Sequence, residues 1–126
     1  MADFQNTIDI VGDAVAARMI VDRTIEEYND DVMTSVGEYA FYNCSALTSV
    51  YIPRITSIAN FVFYNCSNLE SVYLPATPPN IKNVNAFSRI KSDCKFYIPT
   101  GSLGAYQSAT NWSSLTSTYS FIEEER

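Results

Sequence analysis

Cysteine is the residue type in this chain with the widest chemistry, because a thiolate can serve as a nucleophile, a metal ligand or half of a disulfide. Cys44 and Cys66 are 22 residues apart, each preceded by asparagine and followed by serine. Parallel stacking of two such segments would place their Cα atoms about 4.8 Å apart, within disulfide range, although stacked side chains rarely reach the required torsion of about ±90°. We therefore expect buried, reduced thiols. Cys94 is out of register with both, which argues against a metal site of three thiolates.

Other signatures of catalysis and cofactor binding are missing from the sequence. There is no histidine, which excludes triads with an imidazole base and histidine-based metal sites. Only four glycines are present, and none belongs to a phosphate-binding loop. The carboxylate pairs Glu26/Glu27 and Asp30/Asp31 are adjacent in sequence, which is typical of a solvated surface. We expect no enzymatic activity, no catalytic residue, no metal site and no cofactor.

Length and composition favour one soluble domain over residues 1–126. The chain is 47% hydrophobic and 17% charged, which is enough apolar material for one core. Eight Lys and Arg against 14 Asp and Glu give a formal net charge of −6, which opposes binding to nucleic acid or anionic membranes. No stretch approaches the roughly 18 apolar residues of a membrane span, and the N-terminal residues do not resemble a signal peptide. We expect no nucleic-acid partner and no membrane insertion.

An internal repeat of 22 residues organises the middle of the chain, where Val36–Ser57 aligns with Ile58–Pro79. A degenerate unit precedes them from Ile25, and the spacing lengthens to 24 before Ala86-Phe87 and Phe96–Pro99. We therefore predict about three and a half repeats over residues 24–99. The identical pairs are Phe41/Phe63, Tyr42/Tyr64, Asn43/Asn65, Cys44/Cys66, Ser45/Ser67, Leu47/Leu69, Ser49/Ser71, Val50/Val72, Tyr51/Tyr73 and Pro53/Pro75.

Each repeat is predicted to contain one short strand, a turn and an irregular return leg. Val50-Tyr51-Ile52 alternates between inward and outward positions, and Pro53 ends the strand because it lacks a backbone donor. Asn43 and Asn65 fall in the turn, where we expect their amides to hydrogen-bond neighbouring backbone. One repeat alone cannot bury its apolar face, so the units must stack.

The run from Cys44 to Pro53, followed by Ile55, Ile58 and Phe63, resembles the BspA-type (Treponema-type) leucine-rich repeat, and Cys66 to Pro75 repeats it. The resemblance covers roughly residues 25–99. It implies an α/β fold, a short right-handed solenoid with one parallel sheet of short strands. Members of the family occur in bacterial surface proteins proposed as adhesins, and similar repeats occur in phage-encoded proteins. The resemblance therefore implies a location outside the cell, on its surface or on a virion.

Both ends of the chain are predicted to cap the stack. In residues 1–23, apolar residues recur at three- and four-residue intervals from Thr7 to Asp22, which favours an amphipathic capping helix. In residues 100–126 we predict a helix from Ser102 to about Ala109, a strand from Tyr119 to Ile122 and a solvated acidic tail after it. The residues on the apolar side of the N-terminal helix would be Ile8, Val11, Val15 and Met19.

The outward face of the sheet is the candidate binding surface. Tyrosine suits recognition because it offers a large, rigid contact area with a hydroxyl group. The same tyrosines could instead stabilise the sheet as cross-strand pairs, by roughly 0.2 to 1 kcal/mol each, and both roles remain open. Lys95 is the clearest positive charge on this face. The candidate binding residues are Tyr51, Tyr73, Tyr97, Ser49, Ser71, Lys95, Glu70 and Thr48.

Two classes of function are compatible with these features. In the first, the chain is a non-catalytic recognition module, similar to an adhesin, that binds a protein or glycan through the tyrosine-bearing face. In the second, it is a structural or assembly protein whose repeat edge or caps pack against other subunits, as a homo-oligomer or within a virion. Joint exposure of Tyr51, Tyr73 and Tyr97 would favour the first class.

Overall fold

The computed structural model describes residues 10–11, 14–15 and 25–125, with side chains described for 25–125. Ten strands, a 3-10 helix and two α-helices lie in this part of the chain. The helical segments are the 3-10 helix Val84–Phe87, α1 (Leu103–Ser108) and α2 (Trp112–Thr118). The strands are β1 (Ile10–Val11), β2 (Ala14–Val15), β3 (Glu27–Asn29), β4 (Ser35–Val36), β5 (Ser49–Tyr51), β6 (Ser57–Ile58), β7 (Ser71–Tyr73), β8 (Asn80–Ile81), β9 (Lys95–Pro99) and β10 (Ser120–Glu124).

Five parallel strands form the main sheet, in the order β10-β9-β7-β5-β3. Val50 lies opposite Val72, so the 22-residue spacing in the sequence becomes one step between neighbouring strands. Each three-residue strand buries its central side chain and turns the two outer ones away from the core. The predicted parallel sheet is present, with the predicted register.

A second, minor sheet contains β4, β6 and β8, which pair in parallel in that order. Its inward residues are Val36, Ile58 and Ile81, all buried, and the residue before each of them is turned outward. The prediction of one sheet with an irregular return leg is therefore wrong. Two-residue strands are too short to show alternation in a sequence, and only pairing with the neighbouring repeat reveals them.

The turn that closes each repeat uses left-handed backbone at asparagine. Asn43 has φ 60° and Asn65 has φ 62°, a region in which asparagine is favoured over most residues. The amides also hydrogen-bond one another, since Asn65 Nδ2 donates to Asn43 Oδ1 at 2.8 Å. We had expected these amides to bind backbone, and the structure joins them to each other along the stack instead.

The next repeat departs from this pattern where the spacing lengthens from 22 to 24 residues. There the 3-10 helix occupies the turn, and its N-cap is Asn83, whose Oδ1 accepts from the Asn85 amide at 3.0 Å. Arg89, with φ 63°, then takes the left-handed position. The inserted residues therefore lie in the turn and leave the register of β9 unchanged.

The core is a set of rows in which equivalent residues of successive repeats stack. Phe41 and Phe63 have ring centroids 5.1 Å apart, and Phe63 and Phe87 5.3 Å apart, all fully buried. Stacked aromatic pairs of this kind contribute roughly 0.5 to 1.5 kcal/mol beyond the burial of their area. Leu47/Leu69, Val50/Val72 and Cys44/Cys66 continue the same arrangement.

The C-terminal residues cover the end of the stack. The Trp112 indole donates to the Pro79 carbonyl at 2.7 Å, and the Tyr106 hydroxyl donates to the Pro75 carbonyl at 2.6 Å. Phe121 of β10 stacks on Phe96 with centroids 4.8 Å apart. The structure has the predicted helix as α1 and the predicted strand as β10, and it adds α2, which was not predicted.

Two details of this region differ from the expectation. Ser102 precedes α1 but makes no capping hydrogen bond, because its hydroxyl donates to the Pro99 carbonyl at 2.6 Å. The Glu123 carboxylate instead accepts from the amides of Gly101 and Leu103, at 3.0 and 2.9 Å. Glu123, predicted to lie in a solvated tail, is thus part of β10 and anchors the start of α1.

The N-terminal helix predicted from Thr7 to Asp22 lies mostly outside the described residues. Within that stretch β1 and β2 pair antiparallel, with Ile10 opposite Val15. The helix prediction is therefore wrong at these four positions. Three of the four residues are β-branched, and such side chains lose freedom in a helix and favour extended backbone.

Candidate functional site

The register of the main sheet arranges its outward side chains in two parallel rows. We call them the tyrosine row and the serine row. Because strands of a sheet lie about 4.8 Å apart, each row advances by that distance per strand. The tyrosine row consists of Asn29, Tyr51, Tyr73, Tyr97 and Ile122. The serine row consists of Glu27, Ser49, Ser71, Lys95 and Ser120.

The three tyrosines of the tyrosine row contact one another directly. Tyr73 and Tyr97 are stacked, with centroids 4.7 Å apart and an angle of 14° between the rings. Tyr51 is 5.8 Å from Tyr73 and tilted by 58°. All three are half-buried. The sequence prediction that these tyrosines share one face is confirmed by the register, and Ile122, which sequence analysis missed, extends the row onto β10.

Hydrogen-bond donors without an acceptor in the chain lie along this face. The hydroxyls of Ser49, Ser71 and Tyr51 form no hydrogen bond within residues 25–125. Lys95 is exposed and makes no ion pair with any other described residue. These groups are therefore available to the carbonyl or carboxylate oxygens of a ligand.

The two flanking residues predicted for the site, Thr48 and Glu70, already have partners. The Thr48 hydroxyl donates to the Glu26 carbonyl at 3.0 Å, which ties β5 to the preceding repeat. Glu70 accepts from Lys91 at 3.2 Å, and this hydrogen bond and charge raise the pKa of Lys91. Lys91 is a second cation beside the face, which sequence analysis missed because it lies in the insertion.

A second group of surface aromatics lies at the turns and was not singled out from the sequence. Tyr39 stacks on Phe61 at 5.2 Å, and Tyr42 stacks on Tyr64 at 5.4 Å. The two pairs also meet edge to face. Tyr39 is the most exposed of the four, at 46%. The recurrence of Tyr42 at Tyr64 was the available signal, but identity alone does not distinguish an inward from an outward position.

The cysteines have no role in a surface site. All three are free and buried, as predicted. The Cys66 thiol donates to the Phe41 carbonyl at 3.0 Å. Burial, with the nearby Asp93 carboxylate, raises the pKa of Cys94 to about 12, so its nucleophilic thiolate is scarce at neutral pH.

Two further searches of the described residues bear on function. No three or more His, Cys, Asp or Glu side chains are grouped there in a way that could hold a metal ion. No helix in the same part of the chain has both the length and the apolar character to cross a membrane.

Comparison with known families agrees with the stacked geometry. A family model described as BspA type Leucine rich repeat region matches residues 24–122 in six copies. The curated proteins and the solved structures give no match. Leucine-rich repeats are generally non-catalytic modules of protein interaction and recognition, and BspA-type proteins are often exposed at surfaces. With its α/β repeat fold and its mostly parallel strands, this chain belongs to the BspA-type leucine-rich-repeat family.

Proposed function

We propose that the chain is a recognition module that binds a protein or glycan through the outward face of its main sheet. The observation that carries the proposal is the contiguous tyrosine row, in which Tyr51, Tyr73 and Tyr97 are half-buried and in mutual contact. Tyrosine in this setting offers large contact area and loses little conformational entropy on binding. The proposal includes a right-handed solenoid as the scaffold, with the described C-terminal elements as one cap.

Ring orientation defines how a ligand would meet the row. Tyr73 and Tyr97 use a face of each ring for their mutual stacking, so their edges and hydroxyls are what they offer outward. Tyr51 is tilted against Tyr73, so more of its ring face is available for an apolar or C–H surface. Ser49 and Ser71, beside the row, add small side chains that allow close approach of a ligand backbone.

The setting we propose is a cell surface or a virion, where the module would act as an adhesin. Each row spans only five strands, which is a small area for a stable complex on its own. Several copies in one particle or on one surface would raise the overall affinity, because each further contact is then made at high effective concentration.

The test is the triple substitution of Tyr51, Tyr73 and Tyr97 by serine. Binders selected with the wild-type chain from a displayed peptide library and from a glycan array are the probes. We expect the triple variant to lose more than about 30-fold in affinity, because buried aromatic anchors dominate binding energies.

The matched control is the double substitution of Tyr42 and Tyr64 by serine. It also removes a stacked surface pair, and it should leave binding within about twofold if the sheet face is the site. Unchanged binding by the triple variant, with a native circular dichroism spectrum, would contradict the proposal.

The alternative of an assembly role rests on β10, which ends the main sheet and pairs on one side with β9. A strand at a sheet edge can accept another chain. However, β10 carries Glu123 and Glu124, and charged side chains on an edge strand oppose such pairing. Light scattering after gel filtration distinguishes the two roles, since an assembly protein would form a defined oligomer that the triple tyrosine variant disrupts.

A further inference from the structure

The serine row carries opposite charges on its outer strands. Glu27 on β3 and Lys95 on β9 are both exposed, and neither forms an ion pair within residues 25–125. Ser49 and Ser71 lie between them and are small and uncharged. The face is therefore acidic at its β3 end, where Glu26 is also exposed, and basic at its β9 end.

The distance between these charges keeps them available to a ligand. Three strand steps separate Glu27 from Lys95, which is about 14 Å. This exceeds the Debye length of about 8 Å at physiological ionic strength, so the two charges hardly neutralise each other. Lys91 is held by Glu70 and interacts with Asp93, which leaves Lys95 as the cation of the row that faces outward unpaired.

We propose, on the basis of the function proposed above, that the ligand is an extended polypeptide segment lying across the strands. It places an acidic side chain over Lys95 and a basic side chain near Glu27. An extended chain rises about 3.4 Å per residue, so residues i and i+4 are about 14 Å apart, and they point to the same side. That spacing equals the distance between the two charges of the row.

The chemistry of the row favours a polypeptide over a glycan. Acidic glycans could satisfy Lys95, but sugars rarely carry the cation that Glu27 requires, whereas lysine and arginine are common in proteins. The free hydroxyls of Ser49 and Ser71 are suited to accepting or donating hydrogen bonds with a peptide backbone. The side chains between the two charged residues would pack against Tyr51 and Tyr73.

The experiment uses labelled decapeptides that differ only in two charged positions. The panel contains Lys with Glu four residues apart, Lys with Glu three residues apart, Lys with Lys four apart and Glu with Glu four apart. Fluorescence polarisation measures their affinities for the wild-type chain. We expect the mixed pair at spacing four to bind about five-fold more tightly than the pair at spacing three, which presents its charges on opposite sides of an extended chain.

Charge reversal then tests the assignment of each end. Lys95→Glu should make the peptide with two lysines the tightest binder, and Glu27→Lys should favour the peptide with two glutamates. Lys82→Glu changes the net charge of the chain by the same amount as Lys95→Glu but lies outside the main sheet, so it should leave the ranking as in the wild type.

The outcomes separate this inference from the function proposed above. The inference is overturned if all variants keep the wild-type ranking, if Lys82→Glu shifts it as Lys95→Glu does, or if no peptide binds. Glycan binding that depends on the tyrosine row would overturn the polypeptide ligand and leave the sheet-face site standing. Peptide binding that follows the charges but survives replacement of Tyr51, Tyr73 and Tyr97 would instead remove the tyrosine row from the proposed function.

Discussion

At the scale of single residues, position in the stack decides what each side chain can do. Cys44 and Cys66 lie in identical tripeptides one repeat apart, and both are free thiols in the core. The asparagines beside them hold left-handed turns and bond to one another on the surface. Chemistry that a sequence motif would allow is thus removed by burial, while a neighbouring polar residue takes a structural role.

Slow reaction of the thiols with Ellman's reagent is the prediction at this scale. With a pKa of about 12, Cys94 has a thiolate fraction of about 10⁻⁴ at pH 8, against about a quarter for a free cysteine of pKa about 8.5. The folded chain should therefore release almost no thionitrobenzoate in an hour, and three equivalents after denaturation. Raising the pH to 10 should still leave Cys94 largely protonated.

An exposed thiol provides the control for this measurement. Ser67 is exposed, and Ser67→Cys should react within minutes in the folded protein. Rapid reaction of any native cysteine in the wild-type chain would show that the core opens more readily than its packing implies.

The tyrosine row was predictable because its positions follow directly from alternation along a strand. Tyr51, Tyr73 and Tyr97 each come one residue after a buried Val50, Val72 or Phe96. The turn-side aromatics Tyr39 and Phe61 were not, because left-handed backbone at both positions sets their direction. No periodicity in the sequence reports a positive φ at a residue other than glycine.

At the scale of elements, the start of α1 depends on a residue far away in sequence. Glu123 accepts hydrogen bonds from the amides of Gly101 and Leu103, which would otherwise lack partners at a helix N-terminus. A carboxylate at this position also complements the positive end of the helix dipole. α1 and β10 are thus linked by one side chain.

Glu123→Ala should lower the free energy of unfolding by about 1 kcal/mol, the usual cost of losing a helix cap. Urea denaturation followed by circular dichroism measures this change. Glu125→Ala is the matched control, because Glu125 is exposed and has no partner among the described residues, and it should leave stability within about 0.5 kcal/mol. Equal stability of the two variants would contradict the capping role.

The elements that sequence analysis missed are those defined by contacts between repeats. β4, β6 and β8 are two residues long and exist as a sheet because Val36, Ile58 and Ile81 stack. α2 follows Asn111, which has φ 71° and whose amide donates to the Ile81 carbonyl at 3.0 Å. Long-range contacts of this kind override the weak local preferences of short segments.

At the scale of the whole molecule, one continuous core joins the repeats to the C-terminal elements. The stacked rings of Phe41, Phe63 and Phe87 lead to Trp112, whose ring lies 5.7 Å from Phe87. Phe96 is covered by Phe121 on the other side of the sheet order. The last repeat therefore has no exposed apolar end within the described chain.

Truncation after Thr100 should expose this end and abolish the monomeric fold. It removes α1, α2 and β10, and with them the rings that cover Phe96 and Phe87. We expect aggregation on gel filtration and loss of the near-ultraviolet circular dichroism signal, because repeat stacks need a covered end. Removing only residues 125–126 should change neither. A monomeric, cooperatively folded truncated chain would show that the repeats are stable by themselves.

The coincidence of a 22-residue period with a single strand step has a genetic consequence. An in-frame duplication of 66 nucleotides would insert one more strand in register, with a new phenylalanine in the core and a new tyrosine and serine on the outer face. The binding face would lengthen by about 4.8 Å without any existing contact being redesigned. Recombination between near-identical repeats is thus a direct route by which the reach of such a surface can evolve.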